Sequence, residues 1–391
     1  MLSEHLERRR QMAFLAGPRQ CGKTTSCQQV SGDGTYLSWD DADDRRAILG
    51  GASSVAERAG IHRLSSEPPK LVLDEIHKYS RWKSLLKGLF DKHGKELRII
   101  VTGSSRLDVY RRGGDSLMGR YLLYRMHPLS VAELIDPSLP VRVLRPPREL
   151  DEQSFAALWE HGGYPEPFAE RDIRFSNQWR TLRHAQLLRE DVRDLTRIHE
   201  VGQLEVMAQL LIDRSATQLV YSSLAGATAV SVDTARRWVA ALCSLYFGFL
   251  VRPWFKNVTK ALRKEPKWYC LDWSVVQDPG QRAETFVACH LLKAVQGWQD
   301  LGLGRFELRY LRDKQKREVD FVVVRDEQPY FLVEVKAQDT RLSPQLAHFQ
   351  RQVKALHAFQ VVVHTDYVDV DPFSRHDPCV VPARTFLSQL L

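Results

Sequence analysis

A glycine-rich stretch near the start of the chain combines residue types that suit phosphate binding. It runs from Gly17 to Thr24, reads GPRQCGKT, and matches G-x-x-x-x-G-K-[ST]. A strand-like run, Met12 to Ala16, precedes it, and a helix-like run, Lys23 to Val30, follows it. Backbone N–H groups of such a loop turn toward phosphate oxygens, and the helix start adds positive potential. The residues predicted to contact a nucleotide are Gly17, Pro18, Arg19, Gln20, Cys21, Gly22, Lys23, Thr24 and Thr25.

An acidic pair at the end of a buried-type strand lies further along the chain. The apolar run Leu71 to Leu73 leads directly into Asp74 and Glu75, the order called Walker B. We expect Lys23 to bridge the β- and γ-phosphates of ATP and the Thr24 hydroxyl to ligate Mg²⁺. Asp74 is then expected to hold the Mg²⁺ shell, and Glu75 to polarise the attacking water. A solvent-facing acidic strand end is the alternative, but the presence of the glycine-rich loop favours the nucleotide interpretation.

A third apolar run, Leu97 to Val101, ends in hydroxyl side chains. Thr102 and Gly103 are followed by Ser104 and Ser105, and we predict that Ser104 senses the γ-phosphate. Serine pairs after strands are also common as ordinary turns, so both interpretations stay open. With the helix-like segments between them, the apolar runs indicate an α/β fold whose parallel sheet is covered on both faces.

Length and composition narrow the class of protein. The chain has 391 residues, 43% of them hydrophobic and 27% charged, which suits roughly two to four folded units. It lacks both an apolar run of about 18 to 20 residues and a signal-peptide pattern, so we expect a cytoplasmic protein without membrane contact. The six cysteines are scattered and are expected to be reduced. The net charge of +8 favours a polyanionic partner, for which nucleic acid is our prediction; a similar balance is also common in proteins that bind only nucleotide.

Motifs along most of the chain resemble one known family. They are LAGPRQCGKTT, LVLDEIHK, VTGSSR, SLMGRYLLYRMHPLS, HGGYPEP, VRPWFKN, KEPKWYCLDW and EVDFVVVRDEQPYFLVEVK. These segments are similar to the AAA+ superfamily, and more narrowly to a prokaryotic AAA+ family with a C-terminal domain of unknown function. The resemblance implies a P-loop ATPase core over residues 1–130 and a homo-oligomer, a hexameric ring or spiral.

The resemblance also implies a residue that acts between subunits. In an AAA+ core, an arginine finger for the neighbouring subunit lies just before the fifth strand, and Arg120 directly precedes the run Tyr121 to Tyr124. We expect Arg120 to reach the γ-phosphate bound by an adjacent protomer. A solvated surface arginine is the alternative, and the competing candidates for the finger are Arg106, Arg111 and Arg112. A small helical lid is expected over residues 131–185, without a clear G-x-x-R. Open candidates for a second sensor arginine are Arg171, Arg174 and Arg180.

The middle of the chain, residues 186–262, has the order of a winged helix-turn-helix. Two short helical segments, Leu219 to Ala225 and Val230 to Val239, are followed by the β-type run Phe247 to Val251. Asp233 or Ser231 is expected to cap the second helix, and Arg236 and Arg237 to lie on its exposed side. In DNA-binding proteins this helix enters the major groove, but winged helices also bind proteins, so both kinds of partner stay open.

The last part of the chain, residues 263–391, carries the D…E-x-K pattern of restriction-endonuclease-like nucleases. Glu334 and Lys336 lie two apart on an apolar strand and therefore project from one face, and a hairpin partner can bring Asp320 beside them. Asp320 and Glu334 would hold Mg²⁺, and Lys336 would activate water. Glu284 on the preceding helix is expected to supply a further acid. Strands with E-x-K are common without any activity, so an α/β restriction-endonuclease-like domain that only binds nucleic acid is the alternative.

These predictions combine into three candidate functions. The first is an oligomeric AAA+ ATPase that binds and remodels nucleic acid, specifically branched or broken DNA. The second is a metal-dependent DNA nuclease gated by ATP. The third is a nucleotide-switched signalling or transcription regulator with slow turnover. DNA-stimulated ATP hydrolysis, metal-dependent cleavage and turnover without DNA distinguish them.

Overall fold

The computed structural model describes residues 1–103, 117–192, 198, 200–254 and 264–391. The chain divides into two units, residues 1–127 and residues 128–391. Within the described ranges, the chain has no helix both long and apolar enough to span a bilayer.

The first unit is built on a five-stranded parallel sheet with the strand order β2-β3-β4-β1-β5. Its strands are β1 Met12–Ala16, β2 Thr35–Ser38, β3 Lys70–Asp74, β4 Arg98–Gly103 and β5 Tyr121–Arg125. Its helices are α1 Leu2–Arg8, α2 Lys23–Ser31, α3 Ala42–Leu49, α4 Gly51–Arg58 and α5 Trp82–His93. The predicted parallel α/β sheet is therefore confirmed.

Apolar residues on both faces explain why this sheet is buried. Every residue of β1 is buried, and successive side chains of a strand point to opposite faces. Phe14 packs in one hydrophobic cluster with Leu86 of α5, whereas Leu15 packs in another with Leu6 of α1. The sheet thus has helices on both sides, and the carboxyl ends of its strands meet at one edge.

The second unit contains an eight-stranded sheet with the order β13-β12-β11-β10-β9-β7-β8-β6. Its strands are β6 Thr217–Gln218, β7 Gly248–Pro253, β8 Lys267–Cys270, β9 Phe306–Arg312, β10 Glu318–Arg325, β11 Gln328–Lys336, β12 His357–Val362 and β13 Cys379–Pro382. Its helices are α6 Val131–Ile135, α7 Glu152–His161, α8 Pro165–Glu170, α9 Ile173–Gln186, α10 Val201–Asp213, α11 Tyr221–Ala227, α12 Val232–Ser244, α13 Pro279–Asp300, α14 Pro344–Val353 and α15 Ala383–Ser388.

The predicted inner boundaries fall within this second unit. Phe155 of α7, in the segment assigned to a lid, shares one hydrophobic core with Phe286 of α13 and Phe321 of β10. The boundary between residues 262 and 263 falls between β7 and β8, which pair as one antiparallel hairpin. Strand β7 also pairs with β9 in parallel, so the middle and last segments share one continuous sheet.

Candidate functional site

The loop between β1 and α2 adopts a conformation that needs its glycines. Gly22 precedes α2 with φ of 94°, in the left-handed region that glycine enters without strain. At Gly17, a Cβ atom would lie 2.5 Å from the carbonyl oxygen of Met126, closer than two such atoms can approach. The first glycine therefore permits a close passage of two backbones, and the second permits the turn into the helix.

The lysine of this loop is enclosed by the loop itself. Lys23 is 7% exposed, and its Nζ atom donates hydrogen bonds to the carbonyl oxygens of Gly17 at 3.0 Å and Pro18 at 2.6 Å. The acceptors of both hydrogen bonds are neutral carbonyl groups. A buried cation held by neutral dipoles attracts an anion, and phosphate oxygens fit that need.

Asp74 lies at the end of β3 and is held by hydroxyl groups from both neighbouring strands. The Tyr36 hydroxyl of β2 and the Thr102 hydroxyl of β4 each donate a hydrogen bond to its carboxylate. Burial and the bond to Asp74 raise the pKa of Tyr36, and the Thr24 hydroxyl opposes that shift. The Tyr36 phenol therefore lies beside both predicted Mg²⁺ ligands, Thr24 and Asp74.

Glu75 follows directly in a left-handed backbone conformation, with φ of 52°. Its Oε2 atom lies 3.7 Å from Nε2 of His77 and 3.8 Å from Nζ of Lys78. Lys78 also pairs with Asp40 at 2.7 Å. Non-glycine residues in this conformation concentrate at functional sites. The strand thus presents Asp74 and Glu75 in succession at the sheet edge where the glycine-rich loop also begins.

The structure also locates Arg120, the predicted arginine finger. It directly precedes β5, and its guanidinium donates two hydrogen bonds to the Asp91 carboxylate of α5, at 2.8 Å and 3.0 Å. The side chain is about one quarter exposed, at 26%. Its role toward a neighbouring subunit stays a prediction. Ser104 and the competing candidates Arg106, Arg111 and Arg112 lie outside the described residues.

In the second unit, one cluster of charged side chains contains all four residues that were predicted to form a nuclease-like site. Asp320 of β10, Glu334 and Lys336 of β11 and Glu284 of α13 interact electrostatically. The Lys336 Nζ atom donates to Glu334 Oε1 at 2.8 Å. Burial raises the pKa of both Glu284 and Glu334, and the charge of Asp320 raises each further.

A lysine that the D…E-x-K pattern does not include lies among these carboxylates. Lys267 of β8 places its Nζ atom 2.8 Å from Glu284, 2.5 Å from Glu318 and 3.3 Å from Asp320. Burial works against its charge, yet Tyr269 and the carboxylates raise the pKa of Lys267 well above its usual value. The ammonium group is therefore retained and neutralised by the cluster.

This arrangement does not fit a divalent metal ion. Across the described ranges, no group of three or more His, Cys, Asp or Glu side chains is placed to hold one. Asp320, one of the two carboxylates predicted to hold Mg²⁺, and Glu284, the predicted further acid, contact the Lys267 ammonium instead. Metal binding by Asp320 and Glu334 stays a prediction that this geometry does not favour.

The helical middle of the chain presents basic residues at its surface. Ser231 caps α12, because its Oγ atom accepts the N–H of Thr234 at 3.1 Å. Arg236 and Arg237 are exposed on α12, whereas Trp238 is buried. The Arg236 guanidinium lies over the Tyr221 ring of α11, 5.5 Å from its centroid. This face carries both positive charge and an aromatic ring.

Comparison with protein families assigns the first unit. Residues 9–135 match the model of an AAA domain. The chain therefore carries an AAA-type ATPase domain at its N-terminus, a domain class that binds nucleotide. Residues 152–278 match one domain of unknown function (DUF8612), and residues 279–384 match another (DUF4143).

Similar proteins include two uncharacterized mycobacterial proteins, from Mycobacterium bovis and Mycobacterium tuberculosis. Each is 24% identical over 326 residues, which cover 82% of this chain and 69% of the relative.

Similar solved structures include PCH-2 of C. elegans, with 13% identity, a TM-score of 0.25 and coverage of 61% of this chain and 65% of that one. Another is a Signal Transduction ATPase with Numerous Domains (STAND) protein with a tetratricopeptide repeat sensor from Pyrococcus horikoshii, with 10% identity, a TM-score of 0.25 and coverage of 77% and 47%. The chain thus spans less than two thirds of the length of either protein.

Sequence reasoning missed three residues that shape these two sites. They are Tyr36, Thr102 as a partner of Asp74, and Lys267. A weak signal was present for Lys267, because it is a charged residue at the start of the strongly apolar segment KWYC. Tyr36 carried no signal, because an aromatic residue in a strand is usual.

Proposed function

We propose that this chain is an oligomeric AAA+ ATPase that hydrolyses ATP with Mg²⁺ in its first unit and remodels nucleic acid with its second. The observation that carries the ATPase part is the enclosed Lys23 ammonium at the same sheet edge as Asp74 and Glu75. The AAA domain match over residues 9–135 supports it.

The residues of the first unit divide the chemistry among them. When bound, MgATP supplies a γ-phosphoryl group whose charge the metal helps to neutralise. Lys23 and the N–H groups at the start of α2 bind phosphate oxygens. Thr24 and Asp74 supply the oxygen atoms that suit Mg²⁺, with Tyr36 orienting both. Glu75 orients a water molecule and accepts its proton.

An arginine finger requires a neighbouring subunit, and Arg120 is our candidate. A mixing experiment tests it. A Lys23→Met chain lacks the loop amine but keeps Arg120, and an Arg120→Ala chain keeps the loop. We expect each variant alone to be nearly inactive and a mixture of the two to regain turnover. Full activity of Arg120→Ala in the intact oligomer contradicts the assignment.

The exposed face of α12 supports nucleic acid as the partner. Arg236 and Arg237 are exposed there, Tyr221 can add a stacking surface, and the net charge of the chain is +8. Basic side chains can bind the phosphate backbone of a nucleic acid, and an adjacent aromatic ring can stack on its bases.

ATP turnover with and without a panel of DNAs tests this part of the proposal. The panel contains duplex, single-stranded and branched DNA in the presence of Mg²⁺. We expect stimulation that Arg236→Ala with Arg237→Ala removes, whereas the matched pair Arg341→Ala with Arg351→Ala retains it. Turnover that no DNA stimulates refutes remodelling of DNA. Slow turnover together with DNA binding through α12 favours the nucleotide-switched regulator instead.

A further inference from the structure

The ammonium group of Lys267 lies within a cluster of carboxylates. An ammonium has three N–H donors, and Lys267 contacts three carboxylates, those of Glu284, Glu318 and Asp320. The side chain is only 4% exposed, so water does not replace these partners. This lysine comes from β8, a different strand from the one that carries the E-x-K pair.

The Lys267 ammonium lies against the carboxylate oxygens of Glu284 and Asp320 that a metal would need. Asp320 accepts from Lys267 through Oδ1 at 3.3 Å and from the Val335 N–H through Oδ2 at 2.9 Å. Glu284 accepts from both Lys267 and the Tyr269 hydroxyl through Oε1, at 2.8 Å and 2.7 Å. A Mg²⁺ ion bound to these oxygens at about 2.1 Å would lie against the ammonium group. Two cations in such a small buried space repel each other strongly.

A local irregularity of the sheet helps to build this cluster. In the pairing of β10 with β9, Val319 lies opposite Leu311 and Val322 lies opposite Arg309. Asp320 and Phe321 therefore share the single position opposite Tyr310, which is a β-bulge. A bulge re-aims a side chain relative to the regular ladder. Tyr310 in turn lies below the Lys267 ammonium, 5.8 Å from ring centroid to Nζ.

We infer that the Lys267 ammonium takes the place of a divalent cation, so the native Asp320, Glu334 and Lys336 constellation binds no metal and performs no metal-dependent cleavage. The cluster is then an internal ion-pair junction between β8, α13 and β10. Removal of the amine leaves Glu284, Glu318 and Asp320 without their cation. The same oxygens then become available to Mg²⁺ or Mn²⁺.

Binding of Mn²⁺ to the 391-residue chain without nucleotide, measured by electron paramagnetic resonance, tests the inference. We compare the native chain, Asp320→Asn, Lys267→Met and the double variant. We expect the native chain and Asp320→Asn to bind the same amount of Mn²⁺. We expect Lys267→Met to bind one additional equivalent, which the double variant loses.

Two results overturn the inference. One is Mn²⁺ binding by the native chain that Asp320→Asn removes. The other is a folded Lys267→Met chain that gains no Mn²⁺. Where Lys267→Met does not fold, the comparison of the native chain with Asp320→Asn still decides, because it needs no change at Lys267. ATP hydrolysis by the first unit does not enter this measurement, so its outcome is separate from that of the proposed ATPase.

Discussion

Two buried lysines, one in each unit, have opposite kinds of partner. The Nζ atom of Lys23 donates to the carbonyl oxygens of Gly17 and Pro18, whereas that of Lys267 contacts three carboxylates. Their exposures are similar, at 7% and 4%. Carbonyl dipoles hold an ammonium group without cancelling its charge, and carboxylates cancel it. The partner atoms, and not burial, therefore decide whether a buried lysine can bind an anion or serves to join elements of the fold.

The largest effect is expected at Lys23. Lys23→Met removes the cation that binds phosphate, so ATP turnover should fall by about a hundredfold or more, measured as phosphate release. Since the native amine has only neutral partners in this loop, the thermal midpoint of unfolding should not fall. Lys314→Met, at an exposed position, controls for loss of a positive charge. Unchanged turnover in Lys23→Met removes the basis of the nucleotide site.

The second largest effect is expected at Lys267, and it concerns stability. Lys267→Met leaves three carboxylates without their shared cation, which should lower the free energy of unfolding by about 3 kcal/mol. Denaturant titration followed by tryptophan fluorescence measures it. Adding Glu284→Gln to the variant should recover part of the loss, because only two carboxylates, instead of three, then lack a cation. Equal stability of native and variant chains shows that the ion pairs contribute nothing net.

A smaller effect is expected at Tyr36. Tyr36→Phe removes one hydrogen bond to Asp74 and the contact with Thr24, worth about 1 kcal/mol. The Mg²⁺ concentration that gives half-maximal turnover should therefore rise by about fivefold, with a smaller change in turnover at saturating Mg²⁺. The control is Tyr367→Phe, since Tyr367 donates a similar bond to Asp369 at 3.0 Å. An unchanged Mg²⁺ dependence excludes the positioning role.

The smallest effect is expected at Lys336, which has a single carboxylate partner. It pairs with Glu334 at 2.8 Å, and its side chain is 37% exposed. Water can solvate such a pair, so Lys336→Met should lower the free energy of unfolding by less than about 1 kcal/mol. The same denaturant titration measures it beside Lys267→Met. A loss equal to that of Lys267→Met removes the distinction between these two lysines.

The nucleotide loop could be predicted from the sequence because its contacts are local. Lys23 binds carbonyl groups only five and six positions earlier, so a short motif contains the whole arrangement. The strand predicted at Met12 to Ala16 agrees with β1 residue for residue. Glu284, which was predicted to lie on a helix, lies on α13, Pro279–Asp300. Long, strongly patterned segments carry their own structural signal.

The partners of Asp74 and Asp320 could not be predicted, because the sheets bring them from far along the chain. Tyr36 is 38 positions from Asp74, and Lys267 is 53 positions from Asp320. Both contacts depend on strand order and register. A bulge such as the one at Asp320 changes where a side chain points, and neither it nor the order β10-β9-β7-β8 follows from the pattern of apolar residues. The sequence therefore predicted the acids and missed the groups that bind them.

The pairing of β7 with both β8 and β9 has a practical consequence for dissecting the protein. A chain cut between Asp278 and Pro279, where two family matches meet, would leave β9 with an open edge on one fragment. The other fragment would keep Lys267 but lose every carboxylate that surrounds it. We expect neither fragment to keep the fold that it has in the intact chain. Loss of function after truncation would therefore result from disrupted folding and would not show that the removed part carries the activity.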